Sequence, residues 1–242
     1  MTPCIRLKTA SEVALAKAGT RKRNKFDEGR EDISLVPKTP TQAEYIKALK
    51  ECQQVIVLGP AGTGKTFIAS TLAAALFNKK AIDKIILSRP NIGAGKSIGY
   101  FPGTLDEKMA PWMAPVIDVL NRHLTPAVVE LAIKNKNIEI VPFETMRGRS
   151  FENAFVILDE AQNTTPHEMK MFLTRIGDNC RIVINGDVSQ SDISETSGLR
   201  RAIHMAKKNN LPVPVIEFSI DDVVRSELCK MWIEAFIAEE RK

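Results

Sequence analysis

Apolar positions along this chain gather into short runs separated by longer amphipathic stretches. Strand-like runs occur at 54–58, 84–88, 138–142, 154–158, 181–184 and 214–218. They are continuous and rich in β-branched residues, as in Val55-Ile56-Val57-Leu58, which is how strands buried on both faces read. Helical periodicity falls between most of them, near 66–78, 112–122, 125–135, 165–176, 197–208 and 221–240. Thr39-Pro40-Thr41 offers a helix start, so that 42–52 forms the first core helix. Strand alternating with helix predicts an α/β domain whose mainly parallel sheet is covered on both faces. Ligands of such sheets bind at the carboxyl ends of the strands.

The turn after the first strand carries chemistry. Gly59-Pro60-Ala61-Gly62-Thr63-Gly64-Lys65-Thr66 has the full G-x-x-x-x-G-K-T spacing of a phosphate loop, with a buried strand before it and an alanine- and leucine-rich helix after it. Backbone N–H groups and a helix N-terminus then face the phosphates. Glycines let the backbone curl around them with no Cβ in the way. Lys65 is expected to reach the β- and γ-phosphates, and the Thr66 hydroxyl to sit on Mg²⁺. Residues 93–97, Gly-Ala-Gly-Lys-Ser, look like the end of a second such loop. The spacing requires glycine at position 90, which is proline, and no strand precedes it, so a second nucleotide site is rejected.

Two further strand ends complete a catalytic set. Phe155-Val156-Ile157-Leu158 runs into Asp159-Glu160, which places two acids where a Mg²⁺-bound triphosphate would lie. Asp159 is expected to hold the metal through its water shell, and Glu160 to polarise an attacking water. A second acid beside the metal ligand suits hydrolysis better than transfer to an acceptor hydroxyl. Arg181-Ile182-Val183-Ile184 ends in Asn185-Gly186-Asp187-Val188-Ser189-Gln190. Gln190 is the preferred γ-phosphate sensor, with Asn185 or Asp187 coupling it to the strand; the segment is also good turn chemistry. Gln42 is a candidate for reading adenine through its amide. Arg147, Arg149 and Arg225 are candidate cations for the transition-state charge.

Composition narrows the setting. With 242 residues, 44% hydrophobic and 26% charged, the chain suits one sizeable soluble α/β domain with an appendage. No apolar run approaches the length of a membrane span, and the first residues do not read as a signal peptide. Cys4, Cys52, Cys180 and Cys229 lie far apart without metal-ligand grouping, which reads as reduced thiols in a cytoplasmic protein. The net charge of +5 is concentrated: residues 1–50 hold eleven Lys/Arg against six Asp/Glu, and the remainder holds 23 of each. Residues 1–38 therefore read as a basic N-terminal arm and 39–242 as the ATPase domain. Such an arm either neutralises nucleic-acid phosphates or is a solvated tail. On the long connection from Arg89 to Trp112, Lys96, Tyr100 and Phe101 either serve a nucleic-acid strand by charge and stacking or pack the loop onto the core. Arg89, Arg147 and Arg149 are further candidates for backbone contacts.

These pieces together resemble the phage-type PhoH-like proteins, whose ATPase core is similar to one RecA-like domain of superfamily 1 helicases. The matching blocks run over most of 37–235. They include Pro37-Lys38-Thr39 with Gln42 and Tyr45, the phosphate loop, Ser88-Arg89-Pro90, Gly99-Tyr100-Phe101-Pro102-Gly103 and Lys108-Met109-Ala110-Pro111-Trp112. Arg147 to Phe151, Leu158 to Thr165, Gly186-Asp187 with Gln190, and Asp222-Val223-Val224-Arg225 complete the set. Ser226 departs from it, since the family commonly has histidine after that arginine. The resemblance implies a P-loop NTPase fold with a three-layer RecA-like domain. It implies ATP contacts at Gln42 and 59–66, Mg²⁺ near Thr66 and Asp159, general-base work by Glu160, a sensor at Gln190 and an arginine finger or sensor at Arg225. It further implies a homo-oligomer such as a hexameric ring, in the cytoplasm of a bacterial cell or phage-infected host. The leading expectation is an ATPase coupled to single-stranded RNA or DNA handling or unwinding. The alternative is a nucleotide-switched regulatory protein of the phosphate-starvation response.

Overall fold

In the computed structural model the described residues are 35–90, 105–143, 146–187 and 197–240. The basic arm up to residue 34, together with Lys96, Tyr100, Phe101 and Gln190, lies outside them. The element order is α1 (Pro40–Glu51), β1 (Gln54–Leu58), α2 (Lys65–Asn78), β2 (Lys84–Ser88), α3 (Leu105–Leu124), α4 (Pro126–Lys134), β3 (Ile138–Ile140), β4 (Ala154–Leu158), α5 (Pro166–Leu173), β5 (Arg181–Gly186), α6 (Gly198–Lys208), β6 (Val215–Glu217) and α7 (Glu227–Glu240). Short 3-10 turns at Ala161–Asn163 and Ile220–Asp222 follow β4 and β6.

All six strands pair in parallel, in the order β3-β2-β4-β5-β1-β6. Because side chains alternate along a strand, the sheet divides its apolar residues between two cores. Val55, Val57, Ile85, Leu87, Phe155, Ile157 and Val183 meet α1 to α4 on one face. Ile56, Leu58, Ile86, Val156, Leu158, Ile182 and Ile184 meet α5 and α6 on the other. The fold is thus α/β in three layers, as a parallel sheet buried on both sides requires.

The predicted strands all form, with ends shifted by a residue or two. Among the helices, α3 begins at 105 rather than near 112, and the last begins at 227 rather than 221. Residues 221–226 do not join α7. The Ser219 hydroxyl accepts from the Asp221 N–H, and the Asp222 carboxylate accepts from the Ser219 N–H at 3.0 Å. These bonds close a tight turn and leave Val223 extended, with ψ 115. Val224 N–H then donates to the Gly62 carbonyl at 3.0 Å, so a tertiary bond replaces the helical one. Burial alone would raise the Asp222 carboxyl, but bonds from Thr39, Ser219 and Thr41 outweigh it and hold the group below its usual range. Cys180 and Cys229 are free thiols, whereas Cys52 is disulfide-bonded. That corrects the expectation of four reduced thiols, since distance in sequence sets no limit on distance in space.

The α5–α6 junction fits tightly. A Cβ at Gly198 would stand 2.4 Å from the Thr165 carbonyl oxygen and 2.8 Å from Met169 Cβ, neither of which can swing aside. Gly198→Ala is therefore expected to destabilise the chain by about 1–3 kcal/mol, read as a lower midpoint in urea unfolding. An unchanged midpoint would show that this junction yields freely.

Candidate active site

The phosphate loop joins β1 to α2 and is held from behind on three sides. Gly59, Gly62 and Gly64 have φ of 132, 86 and 89, conformations that side-chain-bearing residues rarely adopt. A Cβ on Gly59 would come within 2.5 Å of the Phe218 carbonyl oxygen, and one on Gly62 within 2.9 Å of Arg225 Cγ. From α1, the Gln42 amide donates to the Thr63 carbonyl at 2.9 Å and accepts from the Lys38 N–H at 2.8 Å. The Tyr45 hydroxyl donates to the Lys65 carbonyl at 3.3 Å, while its ring meets Phe218 edge-on with centroids 5.8 Å apart. Thr63 caps the loop internally by donating to the Pro60 carbonyl at 3.1 Å.

Lys65 Nζ donates to the carbonyls of Gly59 and Pro60 at 2.6 and 2.8 Å. Burial lowers its pKa, while Asp187, Asp159 and Glu160 pull it back up. These three acids come from neighbouring strand ends, since β5 lies between β1 and β4. Asp159 Oδ1 accepts from the Thr66 hydroxyl at 3.3 Å. Burial, and then the adjacent Glu160 charge, raise the Asp159 carboxyl; Arg89, Lys65 and the Thr66 bond only partly offset them. Glu160 adopts the left-handed conformation, φ 53 and ψ 39, an uncommon one for a residue with a side chain. That turn aims its carboxylate at Gln162, whose amide nitrogen donates to Oε2 at 2.6 Å. The same amide's oxygen accepts from the Asp187 N–H at 3.0 Å, so Gln162 bridges the ends of β4 and β5. Gln162 is 1% exposed; it was visible in sequence only as part of the run Leu158 to Thr165, and nothing in its spacing marks it as a bridge.

The other expected residues divide. Arg89, directly after β2, approaches Glu160 Oε1 at 3.8 Å, which brings it to the acidic pair rather than to a remote surface. The stem of Arg225 covers Gly62 of its own chain. Arg149 donates to Glu139 on β3, which Lys84 also engages at 2.7 Å. None of those partners belongs to the loop. Arg147 is exposed in the turn beside Gly148.

The PhoH family, described as PhoH-like protein, matches residues 34–237. The chain belongs to the PhoH-like family. It is 39% identical over 213 residues to Protein PhoH of Escherichia coli K12, covering 86% of this chain and 60% of that one. It is 45% identical over 205 residues to a PhoH-like protein of Bacillus subtilis strain 168, covering 84% and 64%. The chain thus spans less than two thirds of the length of these relatives. Among solved structures, the Sulfolobus solfataricus SWI2/SNF2 ATPase core in complex with dsDNA aligns with TM-score 0.48 at 12% identity, over 81% of this chain and 48% of that one. The HK97 bacteriophage large terminase gives 0.47 at 16% over 75% and 39%. Likenesses at that level carry no argument about activity.

In this family member the site fits a magnesium nucleotide. The glycine cradle is one that Cβ atoms would fill, and the loop opens onto the N-terminus of α2. Among the described residues no group of three or more His, Cys, Asp or Glu can hold a metal by itself. Thr66 and Asp159 offer two hard oxygen donors, the partial set that suits Mg²⁺ completed by phosphate and water. No described helix is long and apolar enough to cross a membrane.

The raised Asp159 carboxyl has a consequence for stability. A raised acid destabilises the fold when ionised, and the penalty is relieved as pH falls through the raised value toward the ordinary 3.8. Asp159→Asn should therefore raise the Tm of nucleotide-free protein at neutral pH, by a margin that shrinks on acidification. A lower Tm at neutral pH would contradict this electrostatic account.

Proposed function

We propose that this chain is a Mg²⁺-dependent ATP hydrolase whose turnover is coupled to handling single-stranded RNA or DNA. The observation that carries the hydrolytic reading is Glu160, set in a left-handed turn one residue beyond Asp159 and tied through Gln162 to the end of β5. A carboxylate so fixed can orient a water and take its proton, whereas a kinase needs an acceptor hydroxyl at that place.

In this mechanism the loop N–H groups and Lys65 hold the β- and γ-phosphates. Lys65 would exchange its two loop carbonyls for phosphate oxygens, whose negative charge favours the ammonium that burial disfavours. Thr66 and Asp159 would hold Mg²⁺, which would supply positive charge against the phosphates. Glu160 aligns the water for in-line attack, with Gln162 fixing the carboxylate. Gln42 braces Thr63 from behind and retains one amide hydrogen and one lone pair for adenine. Arg225, lying on its own loop, acts in cis on the developing γ-phosphate charge, and Arg89 balances the two acids. Gln190 remains the proposed γ-phosphate sensor.

Two observations support a nucleic-acid partner. The chain's whole excess of positive charge lies in residues 1–50, and Arg147 stands exposed beside Gly148. Lys96 and Tyr100 are the proposed contacts on the long connection. Arg149, being paired with Glu139, adds charge there only by exchanging that partner.

Self-association is part of the proposal. α7 exposes Leu228, Met231, Trp232 and Phe236, which recur along one helical face, with Trp232 and Phe236 stacked at 5.8 Å. On edge strand β3 packs α4, which exposes Val128 and Leu131 three residues apart on one face. Two different apolar faces, on α7 and α4, suit head-to-tail association of copies, which forms a ring when the rotation between copies closes.

Glu160→Gln is expected to keep its affinity for Mg-ATP and lose at least about 100-fold in kcat. Lys65→Ala is expected to lose ATP binding, and single-stranded oligonucleotides to raise wild-type turnover. Normal kcat in Glu160→Gln refutes the base assignment, and absence of both binding and stimulation by oligonucleotides refutes the coupling. By sedimentation velocity Trp232→Glu should run as a monomer while the wild type assembles. Identical profiles would remove α7 from the interface.

A further inference from the structure

Asn185 is wholly buried in β5, and among the described residues neither amide atom has a hydrogen-bond partner. Native interiors rarely leave such a group unpaired, because losing its water is destabilising. The residues before it, Ile182, Val183 and Ile184, are all apolar, so packing alone would favour another apolar residue here.

The register locates the amide. Val183 lies in the core layer under α2 and Ile184 in the opposite layer, so Asn185 faces α2. On one side it pairs with Val57 of β1, two residues before Gly59. On the other, the ladder of β4 ends with Leu158 opposite Ile184, which brings Asp159 alongside Asn185. The Asp159 side chain points the same way, since it accepts from Thr66 of α2. An unpaired amide thus stands between the proposed metal-holding carboxylate and the phosphate-loop strand.

Taking the nucleotide site as proposed, we infer that Asn185 contacts an oxygen brought in by the nucleotide–Mg²⁺ unit. Nδ2 donates to a terminal-phosphate oxygen, or Oδ1 accepts from a metal-bound water. Both amide atoms are enclosed, so the contact forms when the Thr66–Asp159 hydrogen bond parts around the ligand. The residue then trades stability of the free protein for grip on the bound one.

Calorimetric titration and thermal unfolding of full-length variants test this. Asn185→Val is expected to bind Mg-ATP about tenfold more weakly, while its nucleotide-free Tm rises by about 2–4 °C. Asn185→Ala, which adds no volume, must show the same loss of affinity if Asn185→Val does not fold. A loss for Mg-ATP but not Mg-ADP assigns the amide to the terminal phosphate. Equal losses that vanish in EDTA assign it to the metal shell. Wild-type affinity for Mg-ATP in whichever of these variants folds overturns the role of Asn185, as does a folded Asn185→Val whose nucleotide-free Tm lies below wild type. A wild-type chain that binds no nucleotide overturns the site itself.

Discussion

The parallel register of β1, β5 and β4 is the constraint on which the rest of this structure depends. Leu58 pairs with Gly186, and Leu158 with Ile184, so β1 and β5 end level and β4 stops two residues short of them. With β5 between them, β1 and β4 stand two strand spacings apart, about 9–10 Å. That gap sets the two strand ends apart, and the Thr66 hydroxyl spans it to reach Asp159 at 3.3 Å. The ladder also explains why Gly186 bears no side chain: a Cβ there would meet Leu199 Cδ2 at 2.5 Å and Gln162 Oε1 at 3.1 Å. The Gln162 bridge runs through the space that glycine leaves.

The loop is braced by the elements around it, which limits its reorganisation on binding. Gln42 and Tyr45 reach it from α1, Phe218 from the end of β6, and Val224 from the strand-like segment before α7. Asp222 joins two of these supports by accepting from Thr39 and Thr41 at the start of α1 as well as from Ser219. Preorganisation of this kind leaves little ordering to be done when phosphates arrive. The destabilising features gather at the strand ends beside the loop: adjacent acids, a left-handed Glu160 and an Asn185 amide unpaired among the described residues. Active sites commonly hold such strain where the surrounding structure over-determines it.

Much of this was legible in the sequence because continuous apolar runs and a fixed-spacing loop are local signals. Val55–Leu58 and Phe155–Leu158 read correctly as buried strands, and the loop and acid pair followed from their flanks. Less legible was whatever depends on tertiary contact. The helix expected over 221–240 gives way at its start to a turn and an extended segment, because Val224 bonds Gly62, and no periodicity reveals that. Arg89 and Arg149 are alike candidates for nucleic-acid backbone contacts by sequence, yet one reaches Glu160 and the other is bound to Glu139 on the far edge strand. Gln162 gave no signal of its own as a bridge, since that role exists only once β4 and β5 lie side by side. The cysteines mislead for the same reason, Cys52 being disulfide-bonded.

The central claim is that Glu160 directs water, and no other acceptor, at the γ-phosphorus of ATP. Turnover of Mg-ATP in ¹⁸O-labelled water, with mass analysis of the phosphate released, addresses it most directly. The account predicts one solvent oxygen in each phosphate set free and no phosphorylated acceptor. Release of unlabelled phosphate, or accumulation of a phosphorylated product, would contradict it.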